Sequence, residues 1–158
     1  MDAITLLRED HDHVRKLFTR FEEAGERAYV EKRDIVGKII EELTVHAFIE
    51  EVLFYPRVKG LKAEGDGAKP EDLIKEAEEE HAQVKTLLAE LEDMSPEDEY
   101  FDAKVTVVID DVRHHAKEEE EEMFPKVREA IGRKDLQQLG EQMLAAKERA
   151  PRLPSQAR

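Results

Sequence analysis

The chain has 158 residues, a length that suits one domain with one main core. Charged residues make up 41% and apolar residues 40%, and the formal net charge of −14 opposes binding to nucleic acid or anionic membranes while attracting cations. With no cysteine, disulfides and thiolate metal sites are excluded, so any bound metal must take nitrogen and oxygen ligands.

Helical periodicity dominates, and no alternating strand pattern is present. The first predicted helix covers about residues 2–27, with Asp2 as N-cap and Ile4, Leu7, Val14, Phe18 and Phe21 on one face. The second covers about 31–58, carrying Val36, Ile39, Ile40, Leu43, Leu53 and Phe54. Residues 60–69, with Gly65, Asp66 and Gly67, read as a flexible surface connection between two halves. Pro70 opens a third helix over about 70–94, with Ile74, Ala77, Val84, Leu88 and Leu91 on its apolar face. Ser95-Pro96-Glu97-Asp98 has the residue order of a helix start, and a fourth helix is predicted from there to about Ile131 through Val105, Val108, Ile109 and Val112. A short fifth helix follows over about 135–148, and residues 151–158 form a tail expected to fray. The fold class implied is all-α: an antiparallel up-down four-helix bundle over residues 1–150 with a short additional C-terminal helix. Pro56 and Pro125 interrupt helical patterns at matching places and should each kink or end a helix. No apolar run reaches the length of a membrane span, and the first residues lack the order of a signal peptide, so a cytoplasmic location is expected.

One pattern occurs twice. Asp10-His11-x-x-Val14 is followed by His46-x-x-x-Glu50-Glu51 and Tyr55-Pro56; Glu80-His81-x-x-Val84 is followed by His115-x-x-x-Glu119-Glu120 and Phe124-Pro125. His11 fills the gap in its helix's apolar series between Leu7 and Val14, and His81 does the same between Ala77 and Val84. His46 stands three after Leu43 and His115 three after Val112, each with a glutamate one turn on. Residues four apart share a helix face, so each His-x-x-x-Glu pair presents two ligands in one direction.

Burying four histidines and two glutamates without partners would be costly, and two cations resolve that cost. Each could take two imidazoles, with Glu50 and Glu119 bridging. Imidazole with carboxylate suits iron, manganese or zinc. A lone core-facing histidine is ordinarily a hydrogen-bonded core residue, and one His-x-x-x-Glu pair is a common intrahelical contact. Six such residues on four helices, repeated in order, favour a metal site.

His114-x-x-x-Glu118 has the same spacing, but His114 lies nearly opposite the apolar stripe at 100° per residue. His46 and His115 each stand ten before their proline, which selects His115. His13 and His114 are read as surface or outer residues, and Glu122 as a weaker candidate one turn beyond Glu119. Leu53, Phe54 and Met123 should form a dry wall near the site. Tyr55 points away from His46 on an ideal helix, so a role at the site requires the turn at Pro56 to reorient it.

The stretches EDHDHVRKLF, HAFIEEVLFYP, EEHAQVKTL and HHAKEEEEEMFP resemble the motifs of the hemerythrin-like, or HHE cation-binding, domain over roughly residues 1 to 130. The short helix DLQQLGEQMLAA is similar to the C-terminal helix of bacterial hemerythrin-like proteins, including the mycobacterial type. The resemblance implies a bundle around a non-haem di-iron centre, oxo- or hydroxo-bridged, that reacts with dioxygen, peroxide or nitric oxide. Its implied metal ligands are His11, His46, Glu50, His81, His115 and Glu119. Oxygen carriers of the family have a further histidine where this chain has Lys85, which turns the expectation from oxygen storage toward catalase-like peroxide decomposition or nitric oxide chemistry in a stress response. A non-catalytic sensor of oxygen, iron or nitric oxide, or a metal store, is the alternative. A helical module with a purely structural metal is a third.

Overall fold

Asp2 caps the first helix, α1 (Ala3–Glu23), by accepting the Thr5 backbone N–H at 2.8 Å. The helix ends four residues before its expected limit. Ala24 turns to extended backbone, and its N–H closes onto the carbonyls of Arg20 and Phe21. The computed structural model describes residues 1–61, 67 and 69–157, and all regular structure among them is helical. The connection over residues 60–69 therefore lies largely outside the described residues.

The second and fourth helices each pass through a proline without breaking. Helix α2 (29–59) comprises Tyr29–Ile49, a π-helical turn Glu50–Phe54, and Tyr55–Lys59. Helix α4 (101–130) repeats this as Phe101–Glu118, Glu119–Met123 and Phe124–Ala130. The N–H of Tyr55 reaches the carbonyl of Glu50, and that of Phe124 reaches Glu119, five residues back in each case. A proline ring strikes the carbonyl four residues before it and offers no N–H. The wider turn ahead of Pro56 and Pro125 relieves both problems, so the expected kink or stop becomes a π-turn. It also adds one residue to the helical count, which rotates every later side chain by about 100°.

Helix α3 (Pro70–Glu92) starts with Pro70 in the first turn, as its sequence predicts. The stretch Ser95–Asp98, however, is a turn and not a helix start. Asp98 accepts the Ser95 N–H at 2.8 Å while Ser95 Oγ accepts that of Glu97, and α4 begins only at the buried Phe101. Helix α5 (Arg133–Ala146) packs on α1. It approaches so closely at Gly140 that a Cβ there would lie 2.2 Å from the Met1 carbonyl oxygen.

Helices α1 and α2 pack together, as do α3 and α4. Two apolar clusters fill the interior. One joins Leu7, Ile49, Phe54, Ile74, Ala77, Met123 and Phe124 with α5; the other joins Val14, Phe18, Ile39, Leu43, Leu88, Val108 and Val112. On every long helix the boundary between the clusters is marked by a histidine: His11 between Leu7 and Val14, His46 after Leu43, His81 after Ala77, His115 after Val112. The polar layer is thus a slab with an apolar cap on either side.

The tail expected to fray is held. Arg152 reaches Glu41 on α2 at 2.9 Å, Ser155 Oγ donates to Glu92 on α3 at 2.7 Å, and Pro154–Ala157 forms a 3-10 turn. Two polar anchors on different helices, with prolines at 151 and 154, substitute for the apolar content the segment lacks.

Candidate metal centre

The slab contains all six residues singled out by sequence. Glu50 is 0% and Glu119 2% exposed, and the four imidazoles are buried. The histidines of each half sit together, with ring centroids 5.1 Å apart for His11 and His46 and 5.0 Å for His81 and His115. Each glutamate spans the two pairs. Glu50 Oε1 lies 3.1 Å from His46 Nε2 and 3.2 Å from His81 Nε2. Glu119 Oε1 lies 3.2 Å from His11 Nε2 and 3.5 Å from His115 Nε2. Ligand atoms of His11, His46, Glu50 and Glu119 fall within 4.8 Å of one another, and so do those of Glu50, His81 and His115.

Behind every imidazole stands a second carboxylate. His46 Nδ1 donates to Asp10 at 2.9 Å, His11 Nδ1 to Glu120 at 2.8 Å, His81 Nδ1 to Glu51 at 2.7 Å, and His115 Nδ1 to Glu80 at 3.0 Å. The four acids are the neighbours in sequence of His11, Glu119, Glu50 and His81, so each adjacent pair serves two different positions of the slab. A carboxylate on Nδ1 fixes the ring and leaves Nε2 facing inward, the arrangement found behind metal-bound histidines.

The inward atoms test the fit of a metal. His11 Nε2, His46 Nε2, both oxygens of Glu50 and Glu119 Oε1 are buried without a hydrogen-bond partner among the described residues. They approach within ion-pair distance, but their lone pairs converge on the space between them. Buried carboxylates and imidazoles left in that state are costly, whereas coordination uses those same lone pairs. The donor set, nitrogen and oxygen without sulfur, fits iron, manganese or zinc.

Without cations, protons do part of that work. Burial opposes charging His46, but the Glu50 charge and the Asp10 hydrogen bond overcome it and raise the imidazole to about 10. His11, His81 and His115 are likewise raised against burial by their carboxylates. Glu119 is held well below the usual carboxylate range, despite burial, by the charge of His115 and the close imidazole of His11.

Tyr55 enters the slab. Its hydroxyl donates to Glu119 Oε2 at 2.7 Å and lies 3.1 Å from His81 Nε2 and 3.2 Å from His115 Nε2. Burial, and then the charges of Glu119 and Glu50, raise the phenol well above its ordinary range and keep it protonated. In the other half Phe124 takes the equivalent place and stacks 6.0 Å from His11. The two halves therefore differ by one hydroxyl. Phe54 packs edge-on to Phe124, and Met123 is buried in the same apolar cluster, while Leu53, the third residue of the predicted wall, is only half-buried against it.

The profile of the hemerythrin HHE cation-binding domain matches residues 2–127. The chain belongs to this family. A DNA nickase of Nostoc sp. is 30% identical over 147 residues, which cover 93% of this chain and 39% of that protein, so the chain spans about two fifths of that relative's length. The crystal structure of a hemerythrin HHE cation-binding domain-containing protein from Mycobacterium kansasii has a TM-score of 0.77 and 27% identity, covering 94% of this chain and 86% of that one.

Within this HHE domain the remaining residues sort as follows. His13 is exposed, and His114 is exposed and paired with Glu118 at 3.0 Å. Glu122 is exposed, and the outer carboxylate from this stretch is Glu120, the neighbour of Glu119, on His11 Nδ1. Lys85 lies outside the slab and pairs with Glu51. Asp10, Glu51, Glu80 and Glu120 are functional candidates that periodicity does not single out; their signal is the repeated acid beside each buried ligand.

Proposed function

We propose that this HHE domain holds two metal ions, one by His11 and His46 and one by His81 and His115, with Glu50 and Glu119 shared between them. The ions are iron, and the protein decomposes peroxide, with nitric oxide and dioxygen as competing small-molecule partners in a stress response. The observation that carries this reading is the set of five buried, unpartnered donor atoms converging from both halves. Two irons would supply redox chemistry at neighbouring centres, matching a two-electron reaction such as the conversion of two peroxides into two waters and dioxygen.

The chain's own residues support a reactive site over a storage site. Tyr55 places a protonated hydroxyl between Glu119 and the second histidine pair, where it would serve as a proton donor to a peroxide substrate. Phe124 and Phe54 keep the opposite side dry. Lys85, paired outward with Glu51, supplies no nitrogen to the slab. The nicking activity named for the Nostoc protein is not carried over, because the match covers 39% of that protein and the charge of −14 opposes contact with DNA phosphates.

The test is metal analysis and an absorption spectrum of aerobically purified protein, followed by oxygen release from peroxide. Two irons per chain, visible-range absorption and oxygen evolution lost in His81→Ala are expected. Zinc in a colourless protein, or oxygen evolution equal in His81→Ala, overturns the reading. Plasmid relaxation by the purified chain would reopen the nicking assignment.

A further inference from the structure

A cleft of about 1130 Å3 leads outward from the four imidazoles between α2 and α3. Leu43, Ala47, Val84, Leu88 and Val112 give it apolar walls, and Pro151, Arg152, Pro154 and Ala157 of the anchored tail close over its outer part. Peroxide, nitric oxide and dioxygen need a small fraction of that volume, which matches or slightly exceeds the range of about 300–1,000 Å3 seen for organic ligands.

The charges at the cleft are unevenly committed. Asp10, Glu51 and Glu80 are bound to imidazoles, and Glu41 to Arg152. Lys85 and Lys147 are bound to Glu51 and Asp10. Lys38 on α2 and Arg149 just after α5 line the mouth, exposed, with no ion pair among the described residues; Glu42 is the acid there in the same state. In a chain of net charge −14, this leaves the mouth with more uncommitted positive than negative charge.

We propose that the cleft binds a small organic anion with an apolar body, of the fatty- or aryl-carboxylate class. Lys38 and Arg149 hold its carboxylate at the mouth, and its body lies along Leu43, Val84 and Leu88 toward the imidazoles. The tail sets the size of the site, since its ties to Glu41 and Glu92 fix the outer wall. This goes beyond the metal reading and does not depend on it, because the walls and the two cations are present whatever occupies the slab.

The test is calorimetric titration of the full chain with octanoate and with 1-octanol, in metal-free and iron-loaded protein. Saturable binding of one octanoate per chain is expected in both forms. Octanol should bind more weakly by about tenfold or more, the order of one charge-assisted hydrogen bond. Both cations are exposed, so Lys38→Glu with Arg149→Glu should leave the fold intact by circular dichroism and remove the preference for octanoate. Deletion of residues 151–158 should weaken both ligands. No saturable binding, equal affinity for acid and alcohol, or unchanged octanoate affinity in the double variant overturns the proposal. Octanoate binding to iron-loaded protein alone also overturns it, since that result assigns the carboxylate to the metal. Binding that persists in a chain shown to hold no iron leaves this proposal standing while the metal reading falls.

Discussion

Tyr55 donates a hydrogen bond of 2.7 Å to Glu119, a residue 64 positions away on a different helix. On an ideal helix Tyr55 would stand opposite His46; the π-turn at Glu50–Phe54 rotates it into the slab. Tyr55→Phe is predicted to be sterically silent, because Phe124 already occupies the equivalent place in the other half. Loss of the hydroxyl removes a buried hydrogen bond to a charged acceptor, worth about 1.5–3 kcal/mol. Metal content should stay at the wild-type level while peroxide turnover drops by about a hundredfold if the phenol acts as general acid. Unchanged turnover with full metal content would rule out that role.

The outer carboxylates should tune affinity without being ligands. Glu51→Gln and Asp10→Asn keep the shape of the side chain but remove the charge that faces Nδ1 of His81 and His46. Metal affinity, measured by competition with a chelator, is predicted to fall about 10- to 100-fold. Glu71→Gln, altering an exposed pair with Lys75 at the start of α3, should leave affinity unchanged and serves as the control.

Helical phase makes the six buried ligand candidates legible, because each fills a gap in a stripe of apolar residues. The roles of Asp10 and Glu80 are not legible that way. Their partners, His46 and His115, are about 35 residues away, and nothing in local periodicity ties one helix's acid to another helix's imidazole. Tyr55 escapes ideal phase because the first of the two π-turns shifts the count after Glu50. Pro56 and Pro125 mark those turns in the sequence, but whether a proline ends, kinks or widens a helix depends on what the residues around it pack against. Phe54, Tyr55, Met123 and Phe124 are all buried, and that burial keeps both helices going.

The metal-free protein should lose stability at both pH extremes. His46, raised to about 10, contributes stability that is complete below the unfolded value near 6.5 and is lost as pH rises through 10. Glu120 is lowered to about 2; burial raises it, and the hydrogen bonds from His11 and Arg15 more than offset that. Its contribution is complete above its unfolded value near 4.5 and is lost as pH falls through 2. Urea unfolding of chelator-treated protein should give a plateau between about pH 4.5 and 6.5 and a decline from there to about pH 10. Iron or zinc must displace protons from the imidazoles, so metal addition in weak buffer should release protons and tighten with rising pH. A metal-free protein as stable at pH 10.5 as at pH 7 would contradict the ion pairing described.

Gly140 tests the contact that holds α5 to the bundle. Glycine inside a helix is destabilising relative to alanine by about 1 kcal/mol, so Gly140→Ala on a free helix would stabilise. Here the added Cβ would lie 2.2 Å from the Met1 carbonyl oxygen, 2.6 Å from the Asp2 carbonyl carbon and 2.7 Å from the Ala3 nitrogen. All three are backbone atoms, which cannot swing aside as the end of a side chain can. Either α5 moves outward, or the start of α1 shifts and Asp2 loses its cap on Thr5. The predicted result is a net loss of about 1–3 kcal/mol by the overpacking route. Thermal melting of Gly140→Ala beside Gly37→Ala, a helical position whose Cβ would meet nothing within 4 Å, isolates the effect. Gly37→Ala should raise the melting temperature and Gly140→Ala lower it; a gain in both would mean that α5 is not tightly seated on α1.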